Sequence, residues 1–269
     1  MTQLERRGGR AQIGRYGLWQ FRDYLMDRGT PTALVGGLFG YLTVAPMLPR
    51  LHANLANIPP ALIRKWGGEE QAKAVLMGDF NEVFLRSFLG AVVFLGALFA
   101  MNGIVANDRK QGFYRFLFAK PLTPMRYYGQ AFFIHWVGYL AIVCGLAAIY
   151  GLLVWPLLSM QLVYVLALMF LLYAGIAFAL SAAARWDWLS LVTVTVLATY
   201  VWGRWGESSS VFATLLYLLP PLHRTSEVYM TAATGDPLDW SLLWWYAGYG
   251  AACYVIGLVV LRYRRMAIV

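Results

Sequence analysis

The long uncharged stretches of this 269-residue chain contain few polar side chains that could bind or transfer a proton or a ligand. His135 and Asn102 lie in two such stretches, and Thr193, Thr195 and Thr199 recur through a third. Polar groups inside apolar segments are candidates for a transport pathway, because burying them in a membrane is costly. Each also has a plainer interpretation. His135 could sit near the cytoplasmic interface, Asn102 could join helices by a hydrogen bond, and threonines often bond to their own helix backbone.

The sequence contains no catalytic constellation. A Gly-rich loop ending in Gly-Lys-Ser or Gly-Lys-Thr is missing, and so are a hydrolytic triad, a paired carboxylate site and a cluster of metal ligands. Cys144 and Cys253 lie in hydrophobic runs, where a thiol behaves as a small apolar side chain. We therefore predict that the chain is not itself an enzyme and binds no metal or cofactor of its own.

The composition indicates that these residues are positioned by a membrane protein. Hydrophobic residues make up 60% of the chain and charged residues only 13%, whereas soluble domains carry about 25% charged residues. The net charge is +9, but the cations lie between long uncharged runs instead of clustering on one segment. That distribution is typical of membrane topology and gives no support to nucleic-acid binding.

Uncharged runs between charges predict the membrane spans. The run 127–184 is too long for one crossing of a hydrocarbon core about 30 Å thick, and Trp155-Pro156 is the expected turn within it. The fold class is therefore all-α, with residues 1–269 forming one polytopic transmembrane domain of six helices. The predicted spans are approximately 29–49, 86–107, 128–155, 160–184, 188–205 and 240–262.

The charges predict how this domain is oriented. With six spans, 15 of the 22 Lys and Arg residues fall on the side that holds both termini. The positive-inside rule then places both termini in the cytoplasm, in a multi-pass protein of the cytoplasmic (inner) membrane.

Three segments outside the spans have features of their own. Residues 15–28 predict a helix in the cytoplasmic interface, with a disordered basic tail as the alternative. Its apolar face consists of Leu18, Phe21, Tyr24 and Leu25. Residues 51–82 predict a small outer capping element, and residues 208–222 predict a segment that enters the outer leaflet and returns, or lies upon it.

The first span carries three glycines, Gly36, Gly37 and Gly40. Small residues let helix backbones approach closely in membranes. We therefore expect these glycines to serve helix packing, and they suit contacts with a second subunit.

The most informative segment is cytoplasmic, at residues 108–126. It leaves the second span with charged residues and a glycine, Asp108, Arg109 and Gly112, and continues as a short apolar helix that Pro121 ends. Thr123-Pro124 then suits an N-cap followed by a first-turn proline. An apolar helix held at a cytoplasmic surface requires lipid headgroups or a protein partner.

This layout resembles the membrane subunits of ABC exporters of the ABC-2 type. The residues that lie where the family pattern places them are Asp108, Gly112, Phe116, Leu117, Pro121 and Arg126. The chain departs from the pattern at Phe113, Tyr114 and Gln130, where the family tends to have threonine, an acid and lysine. A weaker match to the family's outer Leu-Pro segment begins at Leu218 and runs through Glu227.

The resemblance implies a permease without its own ATPase. A separate ATP-binding cassette subunit, carrying ATP and Mg²⁺, would dock under residues 108–126, and a second permease subunit, identical or related, would complete the pathway in the lipid bilayer. The coupling residues would be Asp108, Arg109, Gly112, Phe113, Phe116, Leu117, Pro121 and Arg126. A secondary carrier and a non-transporting membrane scaffold or assembly subunit are the alternatives.

Overall fold

The computed structural model describes residues 17–101, 104–105, 123–154, 156–183, 187–206, 216, 219 and 222–263. Within these ranges the chain is helical and contains no β-strand. The helices are α1 (Gly17–Ala56), α2 (Pro60–Trp66), α3 (Glu69–Met101), α4 (Pro124–Leu153), α5 (Met160–Ala183), α6 (Asp187–Trp205), α7 (Thr225–Thr234) and α8 (Trp240–Tyr263). A 3-10 turn, Leu222–Arg224, precedes α7.

Four of these helices are long and apolar enough to cross a membrane, judged by length and composition: α1, α4, α5 and α8. The stretch Phe88–Met101 of α3 is a shorter apolar helix. The prediction of an all-α membrane protein therefore agrees with the structure. The long uncharged run is divided between α4 and α5, which end and begin at Leu153 and Met160, around the predicted turn.

Local sequence explains where α2 begins and ends and where α3 begins. Pro60 opens α2 in its first turn, and Gly67 ends it in the left-handed conformation, with φ of 80°. Glu69 and Glu70 begin α3, where negative charge is favourable, and Lys73 pairs with them at 2.7 and 3.1 Å. Residues 51–82, for which a small capping element was predicted, contain α2 and the first part of α3, which begins 17 residues before the predicted span.

Residue contacts fix the relative directions of the long helices. Gly36 and Gly40 of α1 lie against Val92 and Phe88 of α3, so these two helices are antiparallel. Gly17 and Gly29 of α1 lie against Gln130 and Ile142 of α4, so α1 and α4 are parallel.

The central helix is α5. In its most apolar stretch of 18 residues 67% of the residues are buried, against 11% in that of α1. It runs parallel to α8, because Gly175 faces Gly250 and Phe178 faces Gly257. Trp136 Nε1 of α4 donates a hydrogen bond to the Ala167 carbonyl at 3.1 Å, which joins α4 to α5.

The faces turned away from the bundle are apolar. On α1, Leu34, Leu38 and Leu42 are exposed at four-residue intervals, opposite the glycines that contact α3. An apolar outer surface around a buried core suits a protein whose surroundings are lipid.

Candidate functional site

Most of the predicted coupling residues lie outside the described residues. These are Asp108, Arg109, Gly112, Phe113, Phe116, Leu117 and Pro121. Asn102 also lies outside the described residues, as does the predicted outer-leaflet segment 208–222 apart from Leu216, Leu219 and Leu222. The predicted site residues within the described ranges are Arg126, His135, Thr193, Thr195 and Thr199.

The start of α4 has the local structure expected from its sequence. Thr123 is extended, with φ of −81° and ψ of 145°, and its side chain accepts a hydrogen bond from the Arg126 backbone N–H at 3.4 Å. Pro124 occupies the first turn. The predicted N-cap and first-turn proline are therefore confirmed, and they fix where α4 begins.

The three threonines of α6 do not join His135 in one site. Thr195 Oγ1 donates to the Leu191 carbonyl one turn earlier, at 2.8 Å, as the plainer interpretation expected. Thr193 and Thr199 are exposed. His135 instead lies on α4, among residues of α1 and α3.

His135 is buried inside the bundle, with 8% of its surface exposed. Its ring lies 4.8 Å from that of Tyr24, centroid to centroid, and it faces the Ala100 backbone of α3. Burial among α1 and α3 gives His135 a helix-joining position, and its placement near the cytoplasmic interface stays a prediction.

The inward face of α1 carries a polar stripe, which we define as Gln20, Tyr24, Arg28 and Thr32. These residues are spaced four apart, which places them on one side of a helix. All of them are buried except Arg28, which is half-buried. Residues 17–29 therefore turn polar groups toward the bundle, while Leu18, part of the predicted apolar face, is exposed.

A wider turn interrupts α1 within this stripe. Leu25–Gly29 forms a π-helical turn, and the Thr30 backbone N–H and hydroxyl both donate to the Leu25 carbonyl. Single π turns inside α-helices are common at functional sites. The segment is helical as predicted, but it continues into the first membrane helix and packs along α4.

Arg28 reaches the C-terminal end of α3. Its Nη1 donates to the Ala100 carbonyl at 2.8 Å and to the Phe99 carbonyl at 3.4 Å. The last carbonyls of a helix lack helical partners and carry partial negative charge. A guanidinium is well suited to that position, because it supplies several donors and a full positive charge.

Several buried polar atoms around the stripe have no hydrogen-bond partner among the described residues. They are Gln20 Oε1, Tyr24 Oη, His135 Nδ1 and Tyr139 Oη, and Tyr229 Oη of α7 is a fifth. Buried polar groups are usually satisfied, so each such group invites an explanation, such as bound water or a second arrangement of the helices. The stripe with His135 and Tyr139 is therefore the candidate functional site, which we name the polar cluster.

A second polar region lies near the start of α8. Arg224 Nε lies 3.0 Å from Glu227 Oε2, and Arg224 Nη2 lies 4.0 Å from Asp239 Oδ2. Partial burial, together with the neighbouring Arg224 charge, lowers the pKa of His223. These partners are largely exposed, so the pairs contribute little stability.

The polar cluster was missed from the sequence, although a signal was present. The four-residue spacing of Gln20, Tyr24, Arg28 and Thr32 continues as Gly36 and Gly40. Arg28 was assigned to the cytoplasmic tail because it is the last charge before an uncharged run. Its partners are backbone carbonyls, which carry no signature in the sequence.

The described residues contain no group of three or more His, Cys, Asp or Glu side chains that could hold a metal ion. Comparisons with protein-family models, with curated proteins and with solved structures found no match to this chain.

Proposed function

We propose that this chain is the membrane permease subunit of an ATP-driven export system of the ABC-2 type. A separate ATP-binding subunit supplies the energy, and a second permease subunit completes the pathway. The observation that carries the proposal is the segment 108–126, a charged, glycine-bearing and apolar sequence placed between two membrane helices. Nucleotide-driven motion of the ATPase passes through this segment into α3 and α4.

The proposal includes six spans, with both termini in the cytoplasm. The directions of the helices support it, because α3 is antiparallel to α1 while α4 is parallel to α1. Near the end of α6, the Trp202 ring lies 6.5 Å from the Trp245 ring, near the start of α8, where two antiparallel spans would bring them together. Such alternation suits consecutive crossings, with α3 and α6 as the second and fifth spans.

Cysteine labelling from outside the cell tests this orientation. The native Cys144 and Cys253 are half-buried and are first replaced by serine. Single cysteines at Lys73 and Gly235 are then expected to react with a membrane-impermeant reagent, and a cysteine at Gln111 is expected to react only after lysis. Labelling of position 111 in intact cells contradicts the orientation.

Purification in mild detergent tests the coupling segment. The tagged wild-type chain is expected to retain an ATPase polypeptide and ATP hydrolysis, and Phe116→Asp is expected to lose both. Truncating a buried interface aromatic often costs more than about 1 kcal/mol, and a buried charge costs more. Leu18→Asp, at an exposed apolar residue of α1, is the matched control. Equal ATPase recovery with Phe116→Asp contradicts the assignment.

The pairing of two permease subunits is tested by particle mass. We expect a protein mass at least twice the 30.2 kDa of one chain. Gly36 and Gly40 are occupied within the chain, against α3 and α4, whereas a side chain at Gly37 would meet nothing within 4 Å. Of the first-span glycines, Gly37 is thus the one that faces outward. An active monomer contradicts the pairing.

A second candidate function, a secondary carrier, is favoured by the polar cluster. Arg28 and His135 lie within the bundle, where such carriers place their charged and titratable groups. A carrier works without an ATPase subunit. Transport that follows an ion gradient, in a preparation without ATP hydrolysis, supports this alternative and contradicts the first.

A further inference from the structure

Two hydrogen bonds, at Ala100 and Val105, hold the chain to α1 and α5 where it leaves α3. The Ile104 backbone N–H turns back to the Met101 carbonyl at 3.3 Å, instead of bonding to Ala100 as a continuing helix would. The Ala100 carbonyl is thereby available to Arg28, at 2.8 Å. One residue later, the Val105 backbone N–H donates to Ser181 Oγ of α5, at 3.4 Å.

Residues 17–29 of α1, which include Arg28, also lie along α4, the helix that follows the cytoplasmic segment. A Cβ added to Gly138 of α4 would collide with the Tyr24 ring, and one added to Gly29 would lie 2.9 Å from Ile142 Cδ1. Residues 17–29 therefore contact both helices that flank residues 106–122. They reach α3 through a charged hydrogen bond and α4 through close packing.

We propose that Arg28 is a positioning residue, which fixes the end of α3 relative to α1 and α4 and so sets where the cytoplasmic segment leaves the bundle. Its part in coupling rests on the function proposed above. When the ATPase moves residues 108–126, the first bundle residues to be displaced are Ala100 and Val105. Their hydrogen bonds with Arg28 and Ser181 then transmit the displacement to α1 and α5.

Both the positive charge and the reach of the arginine side chain contribute to this contact. One guanidinium nitrogen serves two successive carbonyls, while the arginine stem lies in the bundle. Lysine keeps the charge but has a single compact donor head, so Arg28→Lys is expected to restore part of the function. Methionine keeps a long apolar side chain and removes every donor.

Hydrogen exchange in the purified full-length complex tests the anchor directly. In Arg28→Met, the amides of Ile104 and Val105 are expected to exchange roughly tenfold faster, as fits the loss of a hydrogen bond from a charged group. Arg28→Lys is expected to be intermediate. Arg22→Met, at an exposed arginine of the same helix, is the control and should match the wild type.

ATP hydrolysis by the same preparations tests the role in coupling. Arg28→Met is expected to retain the ATPase subunit in wild-type amount, because residues 108–126 are unchanged. Its kcat should fall roughly fivefold or more, within the usual range of coupling between distant sites, with the KM for ATP unchanged. Phe116→Asp should show the converse, with the ATPase subunit lost and exchange at Ile104 and Val105 unchanged.

These outcomes separate the two proposals. Exchange at Ile104 and Val105 that is equal in Arg28→Met and wild type overturns the positioning role, whatever the chain's function. Faster exchange with unchanged kcat supports the positioning role and overturns the coupling role of Arg28, because the anchor then transmits nothing. A wild-type preparation without ATP hydrolysis overturns the proposed function, and the coupling role of Arg28 with it.

Discussion

Two helix interfaces in this bundle are held together by different means. Between α5 and α8 the backbones themselves touch, since a Cβ on Gly175 would collide with the Gly250 carbonyl and one on Gly250 with the Leu171 carbonyl. Between α1 and its neighbours α3 and α4, side chains separate the backbones, and those of the stripe are polar. The relative position of α5 and α8 can hardly change unless the two helices separate, whereas side chains between α1 and its neighbours can exchange partners.

The difference suggests which part of the bundle moves. Close-packed backbones transmit displacement as a unit. The polar cluster instead contains unpartnered buried atoms among the described residues, and another arrangement of the helices could satisfy them. We therefore expect α5 and α8 to form the rigid part, and α1, with the ends of α3 and α4, to form the adjustable part.

The largest effect is expected for Gly250→Ala. The added methyl group would meet backbone atoms of Leu171 and Leu172, which cannot rotate away. We expect destabilisation of about 3 kcal/mol, the upper part of the usual range for overpacking, seen as a lower Tm in detergent. Gly248→Ala on the same helix is the control, because a Cβ there meets nothing within 4 Å. An unchanged Tm for Gly250→Ala would show that the two helices can separate freely.

A medium effect is expected for Tyr173→Phe on α5. The Tyr173 hydroxyl faces Thr225, and a hydrogen bond between such groups is typically worth about 0.6 to 1 kcal/mol. The matched variant is Tyr139→Phe on α4, whose hydroxyl has no partner among the described residues. Tyr139→Phe should leave the free energy of unfolding unchanged or raise it. Equal losses in both variants would mean that water or another group satisfies Tyr139.

The smallest effect is expected for Gly36→Ala on α1. Its Cβ would lie 2.6 Å from Leu146 Cδ1, the flexible end of a side chain. The repacking cost is offset by about 0.5 to 1 kcal/mol, which alanine gains over glycine in a helix. The net change should stay within about 1 kcal/mol, and Gly37→Ala, in open space, should be neutral or stabilising. A loss as large as that of Gly250→Ala would remove the contrast between the two interfaces.

Several features could be predicted from the sequence because their causes are local. The N-cap at Thr123 depends on residues adjacent in the chain, and the turn after Leu153 follows from Pro156 and the length of the apolar run. The extension of α3 back to Glu69 was not predicted. The mixed charges of residues 51–82 indicated only a small capping element, although a helix can be polar on all sides when charged pairs along it, such as Glu69 and Lys73, stabilise it.

By itself, the sequence determined that the chain is a helical membrane protein, because apolar runs of this length have no other stable setting. It also determined the chemistry available to segment 108–126. Only the tertiary structure decided that Arg28 binds the end of α3 and that His135 meets Tyr24. The reason is physical: these contacts join residues far apart in the chain, and the atom that Arg28 recognises is a backbone carbonyl, which every residue possesses. Which carbonyls lack a helical partner depends on where a helix ends and what packs beside it.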